Sequence, residues 1–356
     1  MLTRRHWLMR LQILTWMLLS SGIVFRYGVL EQRNFYSNDQ RYHAELVDSI
    51  VTNGIPLDLD WLLNRARLPY TLPATVLGFI GIEPLLALKT ISLLSLLGVS
   101  RVILQLVTPN SLGRVLGTAY LSALGLIGVF FAALGLREAT MMLFVAWFFL
   151  GATTSTKVFS LVCLGLLRPH LAAAVLIGEI LNCIIRHFRN GYKSSHFRAF
   201  VHMIAASIIG YYVYSFGLQY QSGQSGIYGH TWGITPVIRI ASNFIGLQFL
   251  TVNEKTVEFS LMSLALLRLA LSETVVIPLL FTIAVLLSRR PSVLMQSVMW
   301  SFGIYVGIVT NTDFNSFRQN IPFMPIMGLV VLLAWNERRQ LSQTSQELIP
   351  TAQLGR

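Results

Sequence analysis

Apolar segments long enough to cross a membrane recur along this chain, and short turns that carry Lys and Arg separate them. A bilayer core of about 30 Å requires about 20 apolar residues per helix. Charged residues make up 12% of the sequence, whereas soluble globular domains carry about 25%. Because backbone polar groups in lipid must be satisfied internally, we predict an all-α, polytopic integral membrane protein.

The apolar segments predict about ten transmembrane helices within a single domain, residues 1–340. Turns rich in Lys and Arg are placed in the cytoplasm by the positive-inside rule, which puts both termini on that side. Residues 27–85 then form an external loop with amphipathic helices, residues 218–273 a second external region, and residues 341–356 a cytoplasmic tail that we expect to be disordered. The predicted spans are residues 7–26, 85–107, 115–136, 141–157, 158–167, 171–185, 199–217, 274–287, 293–310 and 321–335.

The N-terminus is similar to a signal sequence, with Arg4, Arg5 and Arg10 beside the apolar stretch "LQILTWMLLSSGIVF". Bulky residues follow where a signal peptidase would require small ones, so a retained anchor is predicted. The three arginines hold the N-terminus in the cytoplasm.

Several kinds of site are not indicated by the sequence. The net charge of +12 does not point to nucleic acid, because Lys and Arg in a membrane protein orient its loops. Cys163 and Cys183 lie in apolar runs without neighbouring ligands, which favours packing over a disulfide or zinc site. Neither GxxxxGKS/T nor GxGxxG occurs, so no nucleotide site and no cofactor are predicted.

The acidic residues concentrate on one predicted side of the membrane. All of them except Glu179, Glu337 and Glu347 fall in segments that we predict to be external. Acids contribute little to the orientation rule, so their segregation suggests a polar apparatus on the external face.

The stretch "SNDQRYH" follows the first predicted span. Helical spacing would place Asp39 and His43 on one face, where they can hydrogen-bond or share a proton. A carboxylate there can act as general base on a sugar or lipid hydroxyl, with Tyr42 as a neighbour. The alternative is an ordinary solvated loop in which Ser37 or Asn38 caps a helix. The sequence leaves both interpretations open.

Two further stretches place cations at predicted external span ends. In "LREAT", Arg137 is a candidate phosphate ligand held by Glu138, although an interfacial ion pair explains the same residues. In "LLRPHLA", Arg168 and His170 interrupt apolar sequence, where a cation requires a partner. An anionic lipid headgroup would be such a partner for Arg168, and Glu138 or Glu179 is the structural alternative.

The remaining candidates lie in two external stretches. "NTDFNSFRQNIPFMP" carries Arg318, a candidate phosphate or sugar contact, and Asp313, but a Pro-rich span end is also a structural device. In "YQSGQSGIYGHTWG", Tyr228, His230 and Trp232 offer rings for stacking on sugars within a glycine-rich lid. An interfacial aromatic belt explains those rings with fewer assumptions.

This layout resembles the GT-C superfamily of polytopic glycosyltransferases, which use polyprenyl-phosphate-linked sugars. In that family an acidic catalytic residue lies near the start of the first external loop, a position matched by Asp39 in "FYSNDQRYHAELVDSIVTNGIPLDLDW". Arg137 and Glu138 match a polar motif after the third span, and Arg168 a basic residue between the fifth and sixth. "FRQNIPFMP" is similar to the last external loop.

The chain departs from the commonest version of that family. It has one acid, Asp39, where an adjacent Asp-Glu pair is frequent, and "LREAT" lacks the usual second acid. A divalent metal is therefore not supported. The spacing of these stretches also resembles bacterial polysaccharide polymerases, which act on lipid-linked repeat units.

The resemblance implies a transferase of polysaccharide biosynthesis that uses an undecaprenyl-type polyprenyl phosphate donor, a glycan or lipid acceptor of the cell envelope, and membrane lipids. Asp39 would be the catalytic base with His43 assisting, and three arginines would bind the donor phosphate: Arg137, Arg168 and Arg318. The supporting residues would be Glu138, Tyr42, His170 and Asp313. The implied location is a bacterial inner membrane.

Two other classes compete with this hypothesis. A transporter or flippase would bind the same anionic cargo without bond chemistry, and it should show internal symmetry and ionisable groups near the midplane. We find no repeat of fixed period in the sequence. A purely structural membrane subunit would make no use of the charged external residues.

Overall fold

The computed structural model describes residues 14, 17–30, 38–56, 58, 61–106, 125–188, 196–222, 240, 261–288, 291–311 and 320–335. Within these ranges the regular structure is helical and no strand occurs, which confirms the all-α class. Some predicted features lie outside the described residues: the tail 341–356, the aromatic residues Tyr228, His230 and Trp232, and the site candidates Asp313 and Arg318.

The helices are numbered in chain order over the described residues. Helix α1 covers residues 17–30 and ends in a π-helical segment, Val24–Leu30. The segment that we predict as the first external loop is helical: it contains α2 and α3, which a short π-helix, Trp61–Arg65, separates. The others follow: α2 Asn38–Asn53, α3 Leu68–Phe79, α4 Pro84–Leu106, α5 residues 125–133, α6 Glu138–Leu150, α7 Thr154–Leu167, α8 Pro169–Phe188, α9 His196–Ser222, α10 Leu261–Leu287, α11 Val293–Asn311, and α12 residues 324–335 after the 3-10 turn Ile321–Phe323.

Three helices in the described part of the chain are long and apolar enough to cross a membrane. They are Pro84–Ile103, Pro169–His187 and Val293–Thr310. Shorter apolar helices accompany them, including α6 and α7. These helices are consistent with a membrane protein, and the number of spans stays a prediction.

Helix α10 begins earlier than the sequence predicted. We expected a span from residue 274, but the helix extends back to Leu261. Leucines in "LMSLALLRLAL" continue at helical spacing with no Gly or Pro to end the helix. Glu273, predicted to be external, therefore lies at the middle of α10. It is buried, and its carboxylate accepts the N–H of Ile127 in α5 at 3.0 Å.

A tight hairpin joins α7 and α8. The side chain of Thr153 caps α7 by accepting the N–H of Thr156 at 3.2 Å. At the other end of α7, Pro169 begins α8, because proline is accepted in the first turn of a helix but not in its interior. This leaves Arg168 as the single residue between the two helices.

Glu179 of α8 has partners on both α7 and α11. Its carboxylate lies 3.8 Å from the ammonium group of Lys157 on α7, and it accepts a hydrogen bond from the Ser297 hydroxyl on α11. Glu179 is also about 16 Å along α8 from Arg168. It is therefore not the partner of Arg168, which removes one of the two structural alternatives that the sequence left open.

Helices α9 and α11 pack at very close range. Gly303 and Gly307 lie one turn apart on α11, and both face α9. A Cβ atom on Gly303 would lie 2.8 Å from the carbonyl oxygen of Met203, and one on Gly307 would overlap the carbonyl oxygen of Ser207. Small residues at this spacing allow the backbones of membrane helices to approach each other. The contact fixes the position of α11 in the bundle.

We expect Gly307→Ala to destabilise the protein, because the added methyl group must push α9 and α11 apart. Overpacking of this kind typically costs about 1–3 kcal/mol. The thermal midpoint of the purified protein in detergent measures the effect. Gly165→Ala is the matched control, since its Cβ would lie 4.0 Å from the nearest atom, the Cβ of Ala172. Equal midpoints for the two variants would contradict the predicted close contact.

Candidate functional site

The turn before α6 is held in place through its main chain. Side chains from three different helices donate hydrogen bonds to three successive carbonyl oxygens, those of residues 134–136. The donors are Gln40 of α2, Tyr70 of α3 and Ser92 of α4, the last at 3.1 Å. The turn leads directly into Arg137. The backbone beside Arg137 is therefore fixed by side chains of α2, α3 and α4.

Gly135 is the residue that allows this turn to approach α4. Its φ of 69° lies in the left-handed region that glycine adopts without strain. A Cβ atom here would lie 3.0 Å from the backbone nitrogen of Lys89. Lys89 is buried, and its ammonium group donates to the carbonyl oxygen of Tyr27 at 2.7 Å. The turn therefore lies in close contact with α4, and the hydrogen bond of Lys89 connects α4 to α1.

Three arginines, hereafter the arginine cluster, lie at three connections of the chain and act on one another through their charges. Arg67 precedes α3, Arg137 precedes α6, and Arg168 lies between α7 and α8. Burial lowers the pKa of Arg137 to about 10, Glu138 opposes that shift, and the charges of Arg168 and Arg67 add to it. Burial also lowers the pKa of Arg67, and Arg168 contributes again. Because arginine stays protonated in proteins, three positive charges repel one another here.

Each arginine of the cluster stands immediately before the first turn of a helix. Arg67 and Arg137 are the N-cap residues of α3 and α6, and Arg168 precedes Pro169 at the start of α8. Free N–H groups at a helix N-terminus carry partial positive charge and bind anions. Helix α6 offers most of these groups, because proline removes one N–H from the first turn of α3 and of α8, and the N–H groups of Tyr70 and Leu171 already donate to the carbonyls of Arg67 and Arg168. The buried Nε of Arg137 also has no hydrogen-bond partner among the described residues. These features together favour an anion at the cluster.

Two carboxylates adjoin the arginine cluster. Glu138 is the first residue of α6 and is 1% exposed, and its charge attracts the Arg137 guanidinium. Asp39 lies half-buried in the first turn of α2, and its charge acts on Arg67 and on Arg137. Glu138 is therefore enclosed by the protein, and the interfacial ion pair considered for "LREAT" stays an alternative.

The stretch "SNDQRYH" is not a solvated loop. Helix α2 begins at Asn38, and both Gln40 and His43 are buried. Tyr42 is exposed, but its hydroxyl donates to the backbone carbonyl of Arg65 at 3.3 Å. Gln40 therefore faces the turn before α6, and Tyr42 faces the segment before α3.

His43 lies one helical turn after Asp39 and packs among aromatic rings. Its ring centroid is 5.5 Å from that of Tyr70 and 5.3 Å from that of Tyr42, both edge-on. Burial lowers the pKa of His43 to about 4, the charge of Arg137 adds to the shift, and Asp39 opposes it. The imidazole is therefore neutral at neutral pH. Its buried Nδ1 has no hydrogen-bond partner within the described residues.

We expect the pH dependence of stability to report this burial of His43. The unfolded chain binds a proton at the ordinary pKa of 6.5, whereas the folded chain binds it near 4, so stability decreases as the pH falls through this window. The loss approaches about 3 kcal/mol at the acidic end. His43→Phe keeps the ring contacts with Tyr70 but cannot titrate.

The thermal midpoint of wild-type protein should therefore decrease more than that of His43→Phe between neutral pH and about pH 4. Carboxylates titrate in both proteins, so the difference between the two curves isolates His43. Parallel curves would show that titration of His43 does not contribute to the decrease of the thermal midpoint at low pH.

Tyr305 of α11 contacts Arg168. A nitrogen of the Arg168 guanidinium donates to the Tyr305 hydroxyl at 3.1 Å. The ring of His170 stacks on Tyr305 with 6.1 Å between the centroids and 9° between the planes. Tyr305 is fully buried and also contacts Phe323, at the start of the last helix. The hydrogen-bond partner of Arg168 is therefore a neutral hydroxyl, which does not neutralise the positive charge of the guanidinium.

Most of the predicted site residues interact electrostatically, although they come from distant parts of the sequence. The residues that share this electrostatic environment or line it are Asp39, Tyr42, His43, Arg137, Glu138, Arg168 and His170. Arg318 and Asp313 lie outside the described residues, so their predicted roles are unaddressed. The catalytic and binding roles of the others stay predictions.

Sequence reasoning missed two members of the site, Arg67 and Tyr305. A signal for Arg67 was present, because "RARLP" places a cation shortly before a proline-started helix, as "LLRPH" does at Arg168. Tyr305 gave no comparable signal. A tyrosine inside an apolar span is usually read as part of the packed interior.

Comparisons with protein-family models, with curated proteins and with solved structures find no match for this chain. The resemblance to GT-C glycosyltransferases therefore stays a prediction from the sequence. A function for the protein has to be argued from the chemistry of the site.

That chemistry combines an anion site with a neighbouring carboxylate. Three guanidinium groups offer planar, paired donors that match phosphate oxygens. Asp39 is partly accessible and adjoins them, so it can take a proton from a hydroxyl group bound beside the anion. Among the described residues, no group of three His, Cys, Asp or Glu side chains could hold a metal ion.

Proposed function

We propose that the protein is a membrane glycosyltransferase that uses a polyprenyl-phosphate-linked donor. It transfers a sugar or oligosaccharide to a glycan or lipid acceptor of the cell envelope, on the extracytoplasmic face of a bacterial inner membrane. The observation that carries this proposal is the arginine cluster, which lies at three helix N-termini beside Asp39. The proposed topology has about ten spans and cytoplasmic termini.

In the proposed reaction the acceptor hydroxyl attacks the anomeric carbon of the donor sugar. Asp39 takes the hydroxyl proton as the new C–O bond forms. The bond between the anomeric carbon and the phosphate oxygen breaks, and its electron pair leaves with the phosphate group of the carrier lipid. The arginine cluster stabilises the negative charge that develops on that oxygen.

The other residues of the site position these groups. Glu138 holds Arg137 by its charge, and Tyr305 holds Arg168 by a hydrogen bond. His43 is neutral, so it lets Asp39 approach the arginines without adding a fourth positive charge. His170 covers Tyr305 by stacking. In this proposal His43 and His170 position other side chains, and Asp39 alone accepts the proton of the acceptor hydroxyl.

The competing class is a transporter or flippase for a lipid-linked glycan. Transporter sites lie near the bilayer midplane at a repeat interface. Such transporters are built from internal repeats, and we find no repeat of fixed period in this sequence. Asp39 also adjoins the arginine cluster, where a general base is needed for transfer but not for transport. The glycosyltransferase is therefore favoured. A polymerase that adds whole repeat units would use the same chemistry and differ in its product.

The test is donor consumption in proteoliposomes that contain the purified full-length chain. A lipid extract of bacterial membranes supplies lipid-linked sugars and acceptors, and mass spectrometry follows the released carrier lipid. We expect carrier release in step with glycosylation of an acceptor. Movement of intact lipid-linked sugar across the bilayer without release would instead support a transporter.

A further inference from the structure

Helices α2 and α3 follow one another in the chain, but they expose faces of opposite character. The exposed side chains of α2 are mostly polar and include charged ones: Arg41, Glu45 and Asp48. Helix α3 contains no charged residue, and the side chains that it exposes are all apolar: Leu72, Pro73, Val76 and Phe79. Val76 is 58% exposed and Phe79 is 65% exposed. A helix in water has polar side chains on its outer face, so α2 shows the pattern of a water-facing helix and α3 does not.

The polar side chains of α3 face the interior of the protein. Tyr70, Thr71 and Thr75 are all buried. Their hydroxyls donate to backbone carbonyls, that of Tyr70 to Gly135, that of Thr71 to Ala66 and that of Thr75 to Thr71. The polar side chains are therefore satisfied inside the protein, and only apolar side chains lie outside. A helix surrounded by lipid requires this arrangement.

Helix α3 runs beside the first half of a helix that is able to cross a membrane. Residues 80–83 join α3 to α4, and helices with so short a connection pack antiparallel. Tyr70 of α3 and Ser92 of α4 donate to neighbouring carbonyls of the turn before α6, so they lie at the same level of the bundle. Ser92 is about 12 Å further along α4 than Pro84, where the apolar stretch of α4 begins. Because that stretch is apolar from Pro84 onward, the helix beside it lies at the depth of the bilayer.

Lipid is the partner that fits the exposed face of α3. Just beyond the level of Ser92, α4 itself exposes Leu94 and Leu97, at 56% and 65%, so the exposed apolar surface continues from α3 along the span. The 12 residues of α3 extend over about 18 Å, less than the bilayer core of about 30 Å. Helix α3 is therefore long enough to enter one leaflet but not to cross both.

We infer that α3 is inserted in one leaflet of the bilayer, where its face of Leu72, Val76 and Phe79 contacts lipid acyl chains. The leaflet is the outer one under the proposed topology, whereas the contact with lipid depends neither on that topology nor on the proposed function. The predicted external loop is then divided, with α2 facing water and α3 facing lipid. Since Tyr70 bonds to the turn that leads into Arg137, the inserted helix holds one side of the candidate site at the boundary between water and lipid.

The test attaches nitroxide spin labels to the full-length chain in liposomes, at Val76→Cys in one sample and at Asp48→Cys in the other. Both carry Cys163→Ala and Cys183→Ser, so that neither native thiol reacts. Power saturation measures collisions of each label with oxygen, which concentrates in lipid, and with a water-soluble nickel chelate. We expect oxygen to dominate at position 76 and the nickel chelate to dominate at position 48, which lies on the exposed side of α2.

Two other results would overturn the inference. Dominance of the nickel chelate at position 76 would show that α3 faces water. Rare collisions with both reagents at that position would show that protein covers α3, and dipolar broadening between labels would identify a second copy of the chain as the cover. Either result would leave the proposed sugar transfer standing, because carrier release is measured separately.

A charge on the same face tests the inference without a label. Val76→Asp would change stability little if α3 faced water, because the side chain is more than half exposed. In lipid the carboxylate is costly, so we expect a lower thermal midpoint in liposomes. Ser49→Asp adds the same charge to the exposed side of α2 and should lower the midpoint far less. Equal midpoints for the two variants would contradict insertion of α3.

Discussion

Asp39→Asn is expected to abolish sugar transfer while leaving the protein folded and able to bind the donor. Loss of a general base lowers the rate by roughly 10²- to 10⁴-fold. The amide keeps the size of the side chain but cannot take the acceptor proton. Donor binding should be retained or strengthened, because removing the negative charge of Asp39 leaves the arginine cluster more positive.

The assay compares carrier release in proteoliposomes with the binding of farnesyl phosphate, a short-chain analogue of the carrier lipid, in detergent for the same preparation. Asp48→Asn is the control, since it is the same substitution on the exposed side of the same helix, α2. It should transfer sugar at the wild-type rate. Full turnover by a well-folded Asp39→Asn variant would remove the catalytic role, and unchanged binding alone would then favour the transporter class.

Arg137→Met is expected to be among the most destabilising single substitutions in the site. It leaves the Glu138 carboxylate, which is 1% exposed, without the guanidinium that it attracts. Breaking a buried ion pair from one side costs about 3–5 kcal/mol, because the remaining charge is desolvated. The thermal midpoint in detergent should therefore drop sharply, and farnesyl phosphate binding should be lost.

The double variant Arg137→Met with Glu138→Gln separates stability from binding. Removing both charges eliminates the uncompensated carboxylate, so most of the lost stability should return. Binding of farnesyl phosphate should stay weak, because the guanidinium is still absent. If the single and double variants have the same midpoint, Glu138 is stabilised by other groups and does not depend on Arg137.

The class of the fold could be predicted because lipid restricts the backbone so strongly. Apolar length alone indicates helices where the backbone must bond within its own segment. Charges inside apolar sequence are costly, which is why Arg168 could be selected as a candidate without a structure. Arg137 was selected from its place at a predicted span end, and Asp39 from its helical spacing to His43 and from the resemblance. What such reasoning cannot supply is which of these charges meet.

The places of Arg67 and Tyr305 in the site could not be predicted from the sequence, because they depend on how the helices pack. Arg67 is one of two arginines in "LLNRARLPY", and only the packing of α3 on α4 and α7 brings it to the other cations. Tyr305 reaches Arg168 because α11 packs along α8. The surroundings of Glu273 could not be predicted for a similar reason. A backbone N–H of α5, distant in the sequence, donates to its carboxylate.

The turn at residues 134–136 has an evolutionary consequence. Gln40, Tyr70 and Ser92 bind its carbonyl oxygens, which every amino acid possesses, so these hydrogen bonds do not require particular side chains at the two flanking leucines, which are constrained only by their burial in the core. Inserting or deleting one residue would move every carbonyl out of register with its donor. Selection here should therefore act on the length of the turn and on Gly135, and alignments that tolerate gaps at this point would be misaligned.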